Sequence, residues 1–169
     1  METKLRLAGV IRESIVDGPG WRLVVFVQGC PHHCEGCQNP QTHDYSGGYD
    51  SSVENILNAI KENKLLAGVT LSGGEPFTQA KPLTVLAREV HKMGLNVMSY
   101  SGWTYEQLID GANDKNGWSE LLNEVDYLVD GKFEIEKKSL SAKFRGSTNQ
   151  RIIDVKKSLE SGKAVQTEL

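Results

Sequence analysis

The placement of the thiols constrains this chain more than any other feature. All three cysteines, Cys30, Cys34 and Cys37, fall within eight residues, in the string Gln28-Gly29-Cys30-Pro31-His32-His33-Cys34-Glu35-Gly36-Cys37-Gln38-Asn39-Pro40. Disulfides cannot use an odd number of cysteines, and a secreted disulfide scaffold spreads an even number along its length. The spacing here is C-x3-C-x2-C on one loop. That loop follows directly on Leu23-Val24-Val25-Phe26-Val27, a short apolar run with β-branched residues that suits a strand buried on both faces. A buried strand leading straight into three clustered thiols points to a metal site at its C-terminal end.

Around that strand, β-rich and helical segments alternate. Ser51-x-x-Glu54 reads as a capping box after a Gly/Asp turn region, and it opens a helix with Val53, Ile56, Leu57 and Ile60 on one face. Gly68-Val69-Thr70-Leu71 is the second strand. The next helix carries Leu83, Leu86, Ala87 and Val90 and closes at Gly94. Asn96 to Tyr100 is the third strand. Thr104-x-x-Gln107 caps a helical stretch that breaks around Gly111 to Gly117 and resumes through Trp118, Leu121 and Leu122. Asp126 to Val129 is the fourth strand, residues 5 to 15 add an edge strand, and the polar segment after Arg151 has no assignable period. Strand and helix repeated about four times predict a mainly parallel α/β sheet with right-handed crossovers.

At 169 residues the chain is too short for a complete eight-unit barrel, which takes about 250. Nineteen basic against 22 acidic residues leave a formal charge of −3, which calls for neither nucleic acid nor an anionic membrane as partner. No apolar run approaches the ~18–20 residues of a membrane span. The N-terminus lacks the basic-then-apolar layout of a secretory signal. One soluble, cytoplasmic domain over residues 1–169 is expected.

Several chemistries use clustered thiols. Structural zinc would recruit His32, His33 or His43 as fourth ligand. A dithiol redox centre needs only two cysteines, and a ferredoxin cluster takes four. A cubane cluster held by three leaves one iron without a protein ligand, as a reactive site requires. Ser72-Gly73-Gly74-Glu75-Pro76 follows the second strand; by itself it is a tight turn. Its glycines would let backbone approach a ligand closely, and its carboxylate would accept from a cationic amino group. Asp17-Gly18-Pro19-Gly20-Trp21-Arg22 is a Gly/Pro turn leading into the first core strand. Arg145 and Arg151 bracket a polar Gly-Ser-Thr-Asn-Gln loop, either solvated or close to the site. Cys30, Gly73-Gly74-Glu75, Ser101-Gly102 and Asp130 each sit just past a strand, on the edge where parallel α/β proteins bind ligands.

Taken together, the C-x3-C-x2-C loop and the Gly-Gly-Glu string after the next strand resemble the radical S-adenosylmethionine (SAM) enzymes. Asp17-Gly18-Pro19-Gly20-x-Arg22, Gly29-Cys30 through Asn39-Pro40, Tyr100-Ser101-Gly102-Trp103-Thr104, Val129-Asp130-Gly131-Lys132-Phe133 and Arg145 through Arg151 are similar to the subgroup that activates glycyl-radical enzymes, in particular the branch acting on anaerobic (class III) ribonucleoside-triphosphate reductase. That resemblance implies a partial, open βα barrel of about four to six mainly parallel strands, with the [4Fe-4S] loop after the first core strand. It implies Cys30, Cys34 and Cys37 as cluster ligands and SAM on the open iron. Gly73, Gly74 and Glu75 would lie near the methionine end of SAM, Gly36, Cys37 and Gln38 along the adenosine side, and Asp130 as a further polar contact. Reductive cleavage of SAM would generate a 5′-deoxyadenosyl radical that takes a hydrogen atom from a glycine of the reductase, with an electron from flavodoxin or ferredoxin. The rival readings are activation of another glycyl-radical enzyme of the pyruvate formate-lyase type, or a zinc-binding adaptor without chemistry.

Overall fold

A computed structural model describes residues 3–37 and 39–169. Four parallel strands form its centre: β2 (Arg22–Val27), β4 (Gly68–Gly73), β5 (Asn96–Ser101) and β6 (Tyr127–Asp130), paired in that order. Three antiparallel strands extend them. β1 (Lys4–Ser14) pairs with β2, β3 (Tyr49–Ser52) pairs with β1, and β7 (Arg151–Asp154) pairs with β6. The result is a seven-stranded mixed sheet of order β3-β1-β2-β4-β5-β6-β7.

The two faces of the sheet differ because side chains alternate along each strand. Leu23, Val25, Val27, Val69, Leu71, Val97, Leu128 and Ile153 point to one face and join the main core. The helices α1 (Val53–Lys61), α2 (Ala80–Lys92), α3 (Tyr105–Gly111), α4 (Trp118–Glu124) and α5 (Val155–Ser161) send their buried apolar side chains into that same core. Each such aliphatic side chain, fully buried, stabilises the fold by about 1.5–3 kcal/mol. The opposite face carries a small cluster, Met98, Val129 and Ile152, beside polar groups. Here Arg22 is fully buried and, among the described residues, has no carboxylate partner: Nε donates to Thr70 Oγ1 (2.7 Å), Nη1 to Pro19 O (3.0 Å) and Nη2 to Val69 O (3.0 Å). Burial lowers its pKa to about 10. Arg22 thus ties the Asp17–Gly20 turn to β4, and a Cβ on Gly18 would sit 2.6 Å from its Cδ.

The local signals hold for the second helix, whose buried face includes Leu83, Leu86, Ala87 and Val90, and for the Thr104–Gln107 capping box. Three expectations shift. The first helix caps on Ser52, whose hydroxyl accepts from Asn55 N (3.1 Å), because the β1–β3 ladder keeps Ser51 and Ser52 extended; Glu54 instead accepts from Thr3 N. The turn region before that helix contains β3, which joins the sheet through backbone pairing that its polar sequence does not advertise. β1 is therefore an inner strand, and the strands number seven rather than four to six.

Candidate metal centre and its cavity

The C-terminal ends of β2, β4, β5 and β6 meet at one rim, over the face that the helices leave uncovered. A cavity of about 870 Å³ opens there. Phe26, Ser72 and Tyr100 form its floor, Gly73, Gly74, Ser101, Gly102 and Gly131 its rim, and residues 139–146 its roof. Cys30, Cys34 and Cys37 all line it.

The cysteine loop is held by its own backbone. Gly29 N donates to Thr42 O (2.7 Å), Cys30 N to His43 O (3.2 Å), Cys37 N to Cys34 O (3.2 Å) and Asn39 N to Cys37 Sγ (3.4 Å). His33 and Gly36 take left-handed conformations that let the loop reverse within few residues. A Cβ on Gly36 would lie 2.6 Å from Ile135 Cδ1, so this glycine serves packing against the 3-10 turn at Ile135–Lys137 and does not line the cavity. Gln38 lies outside the described residues.

Burial pushes the Cys30 thiol up to about 11, assisted by Glu75 and the neighbouring cysteines and opposed by the His32 backbone N–H. Burial also raises Cys34, against the Phe133 N–H. A redox nucleophile needs the reverse shift. Thiols in this environment become thiolates when a metal supplies the compensating charge. Among the described residues, no three His, Cys, Asp or Glu side chains converge as ligands of one ion. The three thiols all line the cavity, and the loop holds no fourth cysteine. That donor set fits a multi-iron cluster, which takes thiolates at separate corners and here would retain one iron open.

The two carboxylates expected near the ligand are both turned inward. Glu75 is fully buried. Its Oε1 accepts from His32 Nε2 (2.6 Å), Ser101 Oγ (2.9 Å) and Gly102 N (2.7 Å), and its Oε2 from Phe77 N (3.1 Å). Asp130, 1% exposed, receives two donors from Arg151 and one from Tyr105 N (2.7 Å) at the start of α3. Neither lines the cavity. Gly73 and Gly74 do, but their lack of Cβ serves the protein first. A Cβ on either would overlap backbone atoms, of Phe26 and Val27 at Gly73 and of Gly29 at Gly74. The two glycines let β4 close against the stem of the cysteine loop.

Of the Arg145–Arg151 loop, Arg145 lines the cavity, whereas Arg151 is bound to Asp130 and Glu106. The roof, including Leu140, Lys143 and Phe144, was not legible as a site. Tyr100 donates to Phe144 O (2.7 Å), and Gln150 staples its base by accepting from Gly146 N and Ser147 N while donating to Gly131 O. The available signal was length: the β6–β7 connection runs from 131 to 150 with one short 3-10 turn, and so long a connection inside a compact fold is usually functional.

Comparison with known proteins bears on this site. Residues 16–153 match the family described as "4Fe-4S single cluster domain". The chain is 34% identical over 148 residues to an anaerobic ribonucleoside-triphosphate reductase-activating protein of Vibrio cholerae, covering 82% of this chain and 91% of that one. A protein of the same name from Pasteurella multocida is 33% identical, covering 82% and 90%. Among solved structures, QueE from Escherichia coli is a loose likeness, with a TM-score of 0.48 and 18% identity over 60% of this chain and 54% of that one.

Proposed function

We propose, from the premise that this chain belongs to the family of anaerobic ribonucleoside-triphosphate reductase-activating proteins and carries its 4Fe-4S single cluster domain, that it is a radical SAM enzyme whose substrate is the anaerobic reductase itself. The carrying observation is the donor set: three thiols and no fourth, lining a cavity at the C-terminal rim of the parallel strands. Cys30, Cys34 and Cys37 would hold the cluster. When bound, the [4Fe-4S] cluster and SAM supply one-electron reductive cleavage and the hydrogen-atom abstraction that leaves a glycyl radical on the reductase.

The chain's own residues bind, orient and shield. Gly73 and Gly74 present cavity-facing backbone for the methionine end of SAM, and Gly36, packed against Ile135, shapes the turn that carries Cys37. Asp130 acts by fixing Arg151 and the start of α3 at the rim, which sets the base of the roof. Residues 139–146 shield the cavity from water, while the exposed side chains of Val16 and Leu140 at its mouth leave an entrance for a protein segment. No acid–base residue is assigned, because the cofactors carry the chemistry. With its helices on one face and the cavity on the other, the sheet is read as a partial, open βα barrel forming one catalytic domain. Three unpaired thiols suit a reducing cytoplasm, and a flavodoxin or ferredoxin is the electron donor by this reading. Among the described residues no helix is long and apolar enough to cross a membrane.

The test is anaerobic. Purified protein should be brown, contain iron and sulfide, cleave SAM on reduction and raise a glycyl-radical EPR signal on the anaerobic reductase. A colourless protein with one zinc would overturn the reading, as would a radical raised only on a glycyl-radical enzyme of the pyruvate formate-lyase type.

A further inference from the structure

We infer that Glu75 is a positioning residue for the cluster loop, acting through His32, and not a contact of the bound SAM. This deepens the reading above and rests on it.

Four observations converge. Glu75 is fully buried, and no part of it lines the cavity. Its carboxylate has about four acceptor sites, and the protein supplies four donors: His32 Nε2, Ser101 Oγ, Gly102 N and Phe77 N. A ligand ammonium would have to displace one of them inside a desolvated pocket, where an orphaned donor costs about 1–3 kcal/mol. Glu75 also grips the loop twice. Its backbone N–H donates to Gly29 O (2.8 Å), just before Cys30, and its side chain holds His32, between Cys30 and Cys34. Cys30 is thereby fixed from both flanks.

His32 is built into this arrangement. Its side chain is 5% exposed and sits edge-on to Trp103, ring centroids 4.7 Å apart. A Cβ on Gly102 would overlap its ring, so glycine at that position is what admits the histidine between Glu75 and the tryptophan. The carboxylate can only accept, so Nε2 carries the proton. The other ring nitrogen is not needed for the clamp. Glu75, His32 and Gly102 thus form one unit that sets the backbone between two thiols. Removing an outer partner of this kind typically weakens metal retention about ten- to a hundredfold.

The experiment compares wild type, Glu75→Gln, His32→Phe and His32→Gln after anaerobic reconstitution. It measures the rate of iron release to a chelator, the reduced-cluster EPR spectrum, and SAM affinity of the cluster-loaded fraction by equilibrium dialysis. The expected result is iron release about ten- to a hundredfold faster in Glu75→Gln and His32→Phe, with an altered EPR spectrum and near-wild-type SAM affinity. His32→Gln, which keeps an N–H donor near the Nε2 position, should restore slow release. The double variant should lose no more than the worse single one, since both break one unit. Should Glu75→Gln fail to fold, the two His32 variants decide alone. Normal iron retention with SAM affinity down at least about tenfold in Glu75→Gln, or wild-type iron release in His32→Phe, would overturn the inference. A wild-type protein that takes up no cluster would instead sink the function itself.

Discussion

Glu75 and Asp130 occupy equivalent places, each just at the end of a parallel core strand, each a buried acid on the rim where ligands bind. They are satisfied in opposite ways. Asp130 is neutralised by a cation, Arg151, which reaches from β7 and also touches Glu106 at the surface. Hydrogen bonds to Asp130 and Glu106 raise the Arg151 pKa above its already high value, so that charge is permanent. Among the described residues no guanidinium or ammonium contacts Glu75; two backbone N–H groups, a hydroxyl and an imidazole surround it. One carboxylate closes the sheet toward its last strand, and the other closes it toward the cysteine loop. A buried acid at a ligand-binding rim is therefore not evidence of ligand contact until its donors have been counted.

The sharpest way to break this comparison is to remove each acid. Asp130→Ala leaves Arg151 with only its surface contact to Glu106 and the Tyr105 N–H without its acceptor, and should destabilise the metal-free protein by about 3–5 kcal/mol in urea unfolding, as breaking a buried ion pair does. Glu75→Gln keeps shape and part of the acceptor capacity and should lose only about 1–3 kcal/mol in the same assay. Equal losses would show that the two carboxylates do the same work. Iron retention should separate them the other way, with Glu75 dominant.

The adjoining glycines give a finer version. At Gly74 a Cβ meets the Gly29 carbonyl, so Gly74→Ala should cost about 1–3 kcal/mol by overpacking and lower cluster uptake, read as iron per protein. At Gly131 the nearest atom would be 3.8 Å away, leaving only the strain of a positive φ. Gly131→Ala should cost about 1–2 kcal/mol and leave iron content intact. An iron loss as large at Gly131 as at Gly74 would contradict the assignment of Gly74 to the cysteine loop.

The smallest effect lies at the opposite end of the strands, where His91 repeats the histidine–carboxylate pairing without a site. Its Nδ1 contacts Glu124 (3.0 Å) and its Nε2 contacts Asp126 (2.8 Å). Burial works to lower its pKa, but the hydrogen bonds to Asp126 and then Glu124 prevail and raise it above 6.5. A raised folded-state pKa stabilises below the unfolded value, and the gain disappears as pH rises through the folded value. With side chains a quarter to two-fifths exposed, it should amount to about 0.2–1 kcal/mol. His91→Gln should flatten the Tm–pH profile above about pH 6.5; an unchanged profile would show that the pairing is not coupled to folding.

Much of the fold was legible because its signals are local. A continuous apolar run marks β2, short β-rich stretches mark β4, β5 and β6, and i, i+3, i+4 spacing marks the buried face of α1 and α2. Thr104 and Gln107 cap α3 within a single turn. The rim was legible as a set of positions: the thiols, the paired glycines and the two acids lie at or just past the C-terminal ends of β2, β4 and β6. Their orientations were not. Glu75 meets His32 and Ser101 across 43 and 26 residues, and Asp130 meets Arg151 across 21. No local pattern encodes which donors arrive there. β3 is not legible in the sequence for a related reason: its pairing with β1 is made by backbone, and its side chains are polar.

By itself the sequence determined that three thiols would follow a buried parallel strand and that glycines would stand at the next strand's end. Periodicity and spacing are covalent facts of the chain. The tertiary structure alone decided that β1 lies inside the sheet, that residues 139–146 roof the cavity, and that Glu75 and Asp130 face protein donors. Those outcomes depend on non-local backbone groups that must be satisfied once water is excluded, and only the assembled fold brings them within reach.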